Sequence, residues 1–294
     1  MTITEEKKEE IRDMLEAYCD RFGSRNAAAQ SLRNVSASTI SSLLHKKWEN
    51  ISDAMWRGVH SQIADVKTSS DWEIVETPTV KDVYFCLQNA QEEKSVTWVT
   101  APAGSGKTVT AELYRGDHKN VIYVLCDEDM KKSDFAHELA RAAGIRINTQ
   151  KRARDKVMQV IDVIAEMENP LIIFDEGDKL NDNILYYFIT LYNHLKDKSG
   201  IVFLSTSYIQ KRMSIGLQYN RKGYQEIESR IGRRFYKAEE PSANDVYAIC
   251  MANGVTDQAS IDLVIKDASL CAFDLRRVDK KVRALRKKQR LKTI

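Results

Sequence analysis

The residues best able to do chemistry stand together at Ala101-Pro102-Ala103-Gly104-Ser105-Gly106-Lys107-Thr108, directly after the β-branched run Val96-Thr97-Trp98-Val99 and before a helical stretch through Val109 to Tyr114. Glycines at 104 and 106 free the backbone to turn successive N–H groups toward an anion, and a helix start adds partial positive charge. A lysine followed by a hydroxyl residue supplies a cation for phosphate oxygens and a ligand for a hard metal ion. The pattern predicts a P-loop: Ala103, Gly104, Ser105, Gly106, Lys107, Thr108 and Val109 surround the phosphates of ATP, with Thr108 on Mg²⁺. Ala101 stands where the first glycine of the usual pattern is expected, which requires the backbone there to avoid positive φ.

Further groups suit the same chemistry. The apolar run Leu171-Ile172-Ile173-Phe174 ends in Asp175-Glu176. Two carboxylates at the end of a buried strand are costly unless cations meet them. Asp175 is expected to hold Mg²⁺, and Glu176 to orient and deprotonate the attacking water. Leu204-Ser205-Thr206-Ser207 ends another apolar run and offers hydroxyls for the γ phosphate, with Thr206 preferred over Ser205 and Ser207. In Glu228-Ser229-Arg230-Ile231-Gly232-Arg233-Arg234-Phe235, Arg230, with Arg233 second, is expected to reach a neighbouring subunit's nucleotide; a solvated basic turn is the plain alternative. Leu275-Arg276-Arg277 opens a late helix, where Arg276 is the expected phosphate contact.

Elements must hold these groups. The runs Val96–Val99, Val121–Leu125, Leu171–Phe174 and Ile201–Leu204 alternate with amphipathic stretches, which predicts an α/β fold with a parallel sheet covered on both faces by helices. From about Pro241 the strand pattern is lost, and a small helical lid is expected over 241–294, ending in a basic helix from Leu275 to Lys292. The first 66 residues show no strand pattern and read as an all-α module. Within it, Asn26–Leu32 predicts a helix, Arg33-Asn34-Val35 a turn and Ser36–Leu44 a second helix. Ala28 suits the crossing, Val35 plugs the turn, and Ile40, Leu43 and Leu44 face inward. This is helix-turn-helix spacing, with Ser38 and Thr39 early on the reading helix and Lys46 and Lys47 near phosphates; an ordinary helical hairpin is the alternative. A polar joint is expected over 67–82, and the nucleotide-binding core over 83–240.

Composition sets the bounds. With 294 residues, 43% hydrophobic, 30% charged and a net charge of +3, the chain can bury a sizeable core, and attraction to nucleic acid must come from local clusters. The five cysteines are scattered without metal-ligand spacing and read as reduced packing residues. No apolar run is long enough to span a bilayer and the charged start is no signal peptide, so a cytoplasmic protein without membrane association is expected.

The order of P-loop, acidic strand end, hydroxyl strand end, arginine step and lid arginine is that of AAA+ proteins. The segments Val75-Glu76-Thr77-Pro78-Thr79-Val80-Lys81, Leu171–Glu176 with Asp178, Ser38-Thr39-Ile40-Ser41-Ser42 and Ser229-Arg230-Ile231 carry a closer resemblance, to the B-type target-selector ATPases of Mu-like transposing phages. It is weakest over Lys131 to Lys156, over Asn183 to Asp197 and in the last stretch. Ala101 and Gly177 depart from the family pattern and bear on the rate of hydrolysis. The resemblance implies slow, DNA-stimulated hydrolysis of ATP to ADP and phosphate, a homo-oligomeric filament on double-stranded DNA without sequence preference, and delivery of that DNA to a transposase that it stimulates. Lys131, Lys132, Lys151, Arg152, Arg154 and Lys156 are candidate phosphate contacts, which would give affinity without reading bases. The tail from Arg276 to Lys292, with cations at 277, 280, 281, 283, 286, 287, 288 and 290 between, predicts contact with DNA or an acidic partner. Two other functions fit parts of the pattern: a helix-turn-helix regulator whose oligomeric state is set by ATP, and a helicase-loader-like ATPase on single-stranded DNA.

Overall fold

The computed structural model describes residues 3–20, 22, 24–32, 35–49, 51–70, 72–146 and 151–292; Arg33 and Asn34 of the expected turn and Asp71 of the expected joint lie outside the described residues, as do the side chains of Arg290 and Lys292. The chain divides into two compact units, Met1–Ile74 and Val75–Ile294.

The first unit is helical: α1 (Glu5–Cys19), α2 (Arg25–Gln30), α3 (Ala37–Leu44) and α4 (Asp53–Ser70). Local chemistry starts the short helices. Ser24 Oγ accepts from the Ala27 N–H and Ser36 Oγ from the Thr39 N–H, satisfying donors that the first turn leaves free. Ala28, Val35, Ile40 and Leu43 are buried with Ile11, Leu15, Trp56 and Val59, so the helix spacing read from the sequence corresponds to one apolar core. Trp48 meets Trp56 edge to face at 5.3 Å.

The division between the units, at Ile74 and Val75, falls within the expected joint at 67–82, which helices enter from both sides. Helix α4 continues to Ser70, and α5 (Pro78–Glu93) already begins at Pro78, with Thr77 as its N-cap at φ −69°, ψ 161°. Proline at the first helical position starts a helix, because its missing N–H is one the helix cannot use and its fixed φ is already helical.

The second unit holds β1 (Val96–Thr100), α6 (Lys107–Asp117), β2 (Val121–Leu125), α7 (Lys132–Ala142), α8 (Ala153–Ala165), β3 (Leu171–Asp175), α9 (Asp182–Leu195), β4 (Gly200–Ser205), α10 (Tyr208–Gln218), α11 (Tyr224–Arg230), β5 (Tyr236–Lys237), α12 (Ala243–Ala252), α13 (Gln258–Ser269) and α14 (Leu275–Lys292). The five strands form one parallel sheet in the order β2-β3-β4-β1-β5. The two-residue β5 escaped the strand pattern because it is too short to alternate. Every residue of β3 and β4 is buried, as strands covered on both faces require. One face packs on Phe135, Val157, Ile161, Leu185 and Phe188; the other on Val83, Leu87, Ala111 and Tyr114. Trp98 stacks on Phe203 at 4.2 Å between ring centroids. Glycine at 200 is required by packing, since a Cβ there would lie 2.2 Å from the Ala90 carbonyl oxygen.

Beyond the sheet, α12, α13 and α14, where a helical lid is expected, bury Val246, Ile249, Ile261, Val264, Val278 and Val282. Cys19, Cys86, Cys126 and Cys250 are buried free thiols and Cys271 is half-buried. Burial pushes Cys86 up to about 12, with the charge of Asp82 adding to the shift.

Candidate nucleotide site

Parallel strands bring their carboxyl ends to one edge, and there the chain gathers its chemistry. Thr100 of β1 is level with Ser205 of β4, and Asp175 closes β3 beyond the Phe174–Phe203 pair. The P-loop leaves β1 at Ala101, which is buried, has no positive φ, and donates its N–H to the Ser205 carbonyl at 3.1 Å. Alanine suffices at this position because the chain is still extended there. The turn needs its glycines further on: Gly104 has φ 72° and Gly106 φ 103°.

Lys107 is buried, and its Nζ donates to the carbonyls of Ala101 and Pro102, both at 2.8 Å. Burial lowers its pKa, opposed by the charges of Asp175 and Asp178. Ser105 Oγ is buried inside the loop without a hydrogen-bond partner. An orphaned hydroxyl beside two positive-φ glycines and a helix start is a cradle suited to an anion. Thr108 Oγ1 donates to Asp175 Oδ2 at 2.7 Å, Tyr123 to the same oxygen at 2.9 Å, and the Glu176 N–H to Oδ1 at 2.9 Å. These donors compensate a carboxylate that is fully buried. The Tyr123 hydroxyl is pushed up by burial and by Asp175.

Among the described residues no group of three or more His, Cys, Asp and Glu side chains is placed to hold a metal. The neighbouring oxygens of Thr108 and Asp175 instead fit Mg²⁺, which takes a few protein oxygens and completes its shell with water and phosphate. Glu176 sits at φ 55° and pairs with Lys179. Gly177, a departure from the family pattern, has a packing reason: a Cβ would stand 2.9 Å from Phe203 Cδ1. Thr206 Oγ1 donates to Asp178 Oδ2 at 2.6 Å, which ties the end of β4 to the acidic turn. Ser205 is committed elsewhere, accepting from Trp98 Nε1 at 2.8 Å, and Ser207 is exposed at the start of α10. Ala103 and Val109 are exposed on the loop and on the first turn of α6.

Arg276 reaches this edge from the lid. It is exposed, its charge bears on Lys107, and the adjacent Leu275 N–H donates to the Gly104 carbonyl at 2.9 Å. Arg277 is tied back to α13 by paired bonds to Asp267 at 2.8 and 2.9 Å. Arg230 lies elsewhere. It shares a cavity of about 370 Å³ with Ser95, Val96, Ser199 and Ile201, at the amino ends of β1 and β4. The five residues of β1, about 16 Å, separate that end from the P-loop. There it donates to the Glu226 carbonyl and Asn193 Oδ1, both at 3.0 Å, and covers the Tyr192 ring. Arg233 is exposed at φ 58°.

The expected DNA contacts divide. Lys131, Lys132, Lys151 and Arg154 are exposed; Arg152 is exposed and paired with Asp155 at 3.0 Å. Lys156 is corrected: it is 2% exposed, and its Nζ bonds His137 Nε2 at 2.8 Å and Ser133 Oγ at 3.4 Å. Its position on the inner face of α8, against α7, turns a cation of the run into a packing residue. In the first unit Ser38 and Lys47 are exposed, Thr39 is half-buried, and Lys46 pairs with Glu9 at 2.5 Å.

Sequence reasoning passed over Arg212. Its guanidinium donates to the Asp178 carbonyl at 3.1 Å, the Leu180 carbonyl at 2.5 Å and Asp182 Oδ1 at 2.6 Å, while Tyr224 donates to that same oxygen at 2.8 Å. It braces the turn that carries Asp178. Nothing in Lys211-Arg212 distinguishes it from a solvated cation. Asp274 was also missed, although an aspartate just before a periodic helix is a capping signal.

Comparisons with known proteins agree with this architecture. Residues 90–213 match the AAA domain family. The ATP-dependent target DNA activator B proteins of Escherichia phages D108 and Mu are each 25% identical over 236 residues, covering 78% of this chain and 73% of theirs. Among solved structures, the Aeropyrum pernix ORC1 protein, solved in complex with DNA, aligns with TM-score 0.53 at 17% identity over 68% of this chain and 56% of its own length. The Cdc6p protein of Pyrobaculum aerophilum aligns with TM-score 0.50 at 15% identity over 72% of this chain and 61% of its own. These two share the fold, and this chain spans under two thirds of either. Residues 90–213 thus carry an AAA domain, and over most of its length the chain resembles the target DNA activator B proteins of Mu-like phages.

Proposed function

We propose that this chain is an ATPase that assembles on double-stranded DNA without sequence preference and delivers that DNA to a transposase, which it stimulates. The observation that carries the reading is the reach of the similarity: it extends over 236 residues, well beyond the AAA domain at 90–213, to relatives named ATP-dependent target DNA activators.

In this reading the amides of residues 103–109 and Lys107 bind the phosphates of ATP. Lys107 leaves its two loop carbonyls for phosphate oxygens, an exchange of neutral acceptors for charged ones. Thr108 and Asp175 hold Mg²⁺, whose contribution when bound is to neutralise charge on the β and γ phosphate oxygens. Glu176 takes the proton of the attacking water, and Thr206, held by Asp178, positions it. Arg230, being remote from its own chain's P-loop, acts on the nucleotide of the next copy, or Arg233 does so. Such a head-to-tail contact generates a ring where the rotation between copies closes and an open helical assembly where it does not, and the filament reading takes the second. Exposed Lys131, Lys132, Lys151, Arg152 and Arg154 contact DNA phosphates, as do exposed Lys280, Lys287 and Lys288 of α14; Ser38, Thr39, Lys46 and Lys47 belong to a helix-turn-helix contact in the first unit. The work is done in the cytoplasm.

The test is negative-stain imaging with random-sequence duplex, with and without ATP. Regular filaments that require ATP are expected. Isolated particles at one short site would refute the reading in favour of a regulator; binding confined to single strands would favour a helicase loader.

A further inference from the structure

The segment entering α14 is built unusually. Ala272 and Phe273 have φ 52° and 57°, two consecutive left-handed residues that are not glycine. Left-handed backbone is disfavoured for any residue that carries a Cβ. The turn is held by the Phe273 N–H on the Ala268 carbonyl at 2.9 Å and the Asp274 N–H on the Cys271 carbonyl at 3.1 Å. Its product is the placement of Asp274 directly on the P-loop. A Cβ at Gly104 would stand 2.0 Å from Asp274 Oδ1, and one at Gly106 would be 3.9 Å from Leu275 Cδ1. Gly104 is therefore demanded twice, by its positive φ and by the carboxylate seated against it.

That same Oδ1 accepts the Arg276 N–H at 2.8 Å, while the Leu275 N–H donates to the Gly104 carbonyl at 2.9 Å. The first amides of α14 are thus satisfied by Asp274 and by the P-loop itself, so the helix start is fixed relative to the phosphate cradle. Arg277 is drawn away to Asp267, while the exposed Arg276 follows directly on Leu275, whose N–H is bonded to the P-loop.

We propose that Asp274 is a positioning residue of the nucleotide site: seated on Gly104, it locks the first turn of α14 to the P-loop so that Arg276 is aimed at the terminal phosphate. This rests on the ATP-binding reading and deepens it. A carboxylate acting through another residue leaves a signature that packing alone does not. Its loss removes discrimination between ATP and ADP, spares the binding common to both, and adds nothing once Arg276 is gone. Asparagine, which keeps the acceptor oxygen and the shape, substitutes for it.

The experiment is equilibrium binding of fluorescent ADP and fluorescent ATPγS to the full chain. The wild type is expected to prefer ATPγS by about ten-fold or more, the scale of one charged hydrogen bond. Asp274→Ala and Arg276→Ala each abolish that preference with ADP affinity changed less than about two-fold, the double variant matches Arg276→Ala, and Asp274→Asn retains the preference. Additive losses in the double variant, an Asp274→Asn chain that behaves like the alanine, or equal weakening of both nucleotides would overturn the assignment. If the wild type binds both nucleotides equally, the positioning role falls while nucleotide binding stands. Binding of neither removes the ATP reading and this inference together.

Discussion

Replacing Arg212 by methionine tests whether the brace beneath the acidic turn matters. The substitution keeps the aliphatic stem and removes the donors that meet the Asp178 carbonyl, the Leu180 carbonyl and Asp182. Two carbonyls left without their charged donor in a site where the arginine side chain is only 15% exposed cost about 1–2 kcal/mol each. The Asp182 contact adds less, because that carboxylate is 36% exposed and water replaces part of the pairing. The sum is about 3 kcal/mol, and for a unit of this size a loss of about 6–12 °C in Tm. The pH dependence carries a sign. Burial raises the Asp182 pKa, the bonds from Arg212 and Tyr224 more than offset it, and the net shift is downward. A carboxylate depressed in the folded state contributes stability above its unfolded pKa and loses it as pH falls through the folded value. The gap between variant and wild type should therefore hold from pH 8 to about 5 and narrow below about 4. Thermal unfolding followed by circular dichroism at stepped pH measures it. A Tm loss under about 2 °C, or a gap that widens in acid, would refute the reasoning.

Other outcomes follow from the same geometry. Lys107→Ala should abolish ATP-dependent DNA binding, whereas Glu176→Gln should keep it and slow phosphate release by about 10²-fold or more, read by filter binding and a phosphate assay. Gly177→Ala places a methyl within 2.9 Å of Phe203 and should lower stability by about 1–3 kcal/mol in urea unfolding, with slower turnover. Lys151→Ala with Arg154→Ala should reduce the salt dependence of duplex binding by about two phosphate contacts in fluorescence titrations, while Lys156→Met leaves it unchanged.

The legible parts of the molecule were those in which type and spacing act locally. The P-loop, the acid pair after an apolar strand and the helix caps each declare themselves within a few residues. Even Ala101 could be placed, since the requirement on its φ follows from having a Cβ. What was not legible depends on residues distant in sequence. Lys156 sits in a run of cations, and only the packing of α8 on α7 shows that it points inward to His137. Arg212 resembles any exposed helix cation until three carbonyl and carboxylate oxygens from residues 178–182 converge on it. The position of Arg230 relative to its own P-loop is a property of sheet topology, and so invisible in a local motif.

The cysteines have a practical consequence. Four of the five thiols are buried, and burial raises Cys19, Cys86, Cys126 and Cys250 away from the reactive thiolate. Cys271, half-buried, lies three residues before Asp274 in the left-handed turn that delivers α14 to the P-loop. A maleimide dye under native conditions should therefore label one position per chain, in the turn that enters α14, without any engineered cysteine.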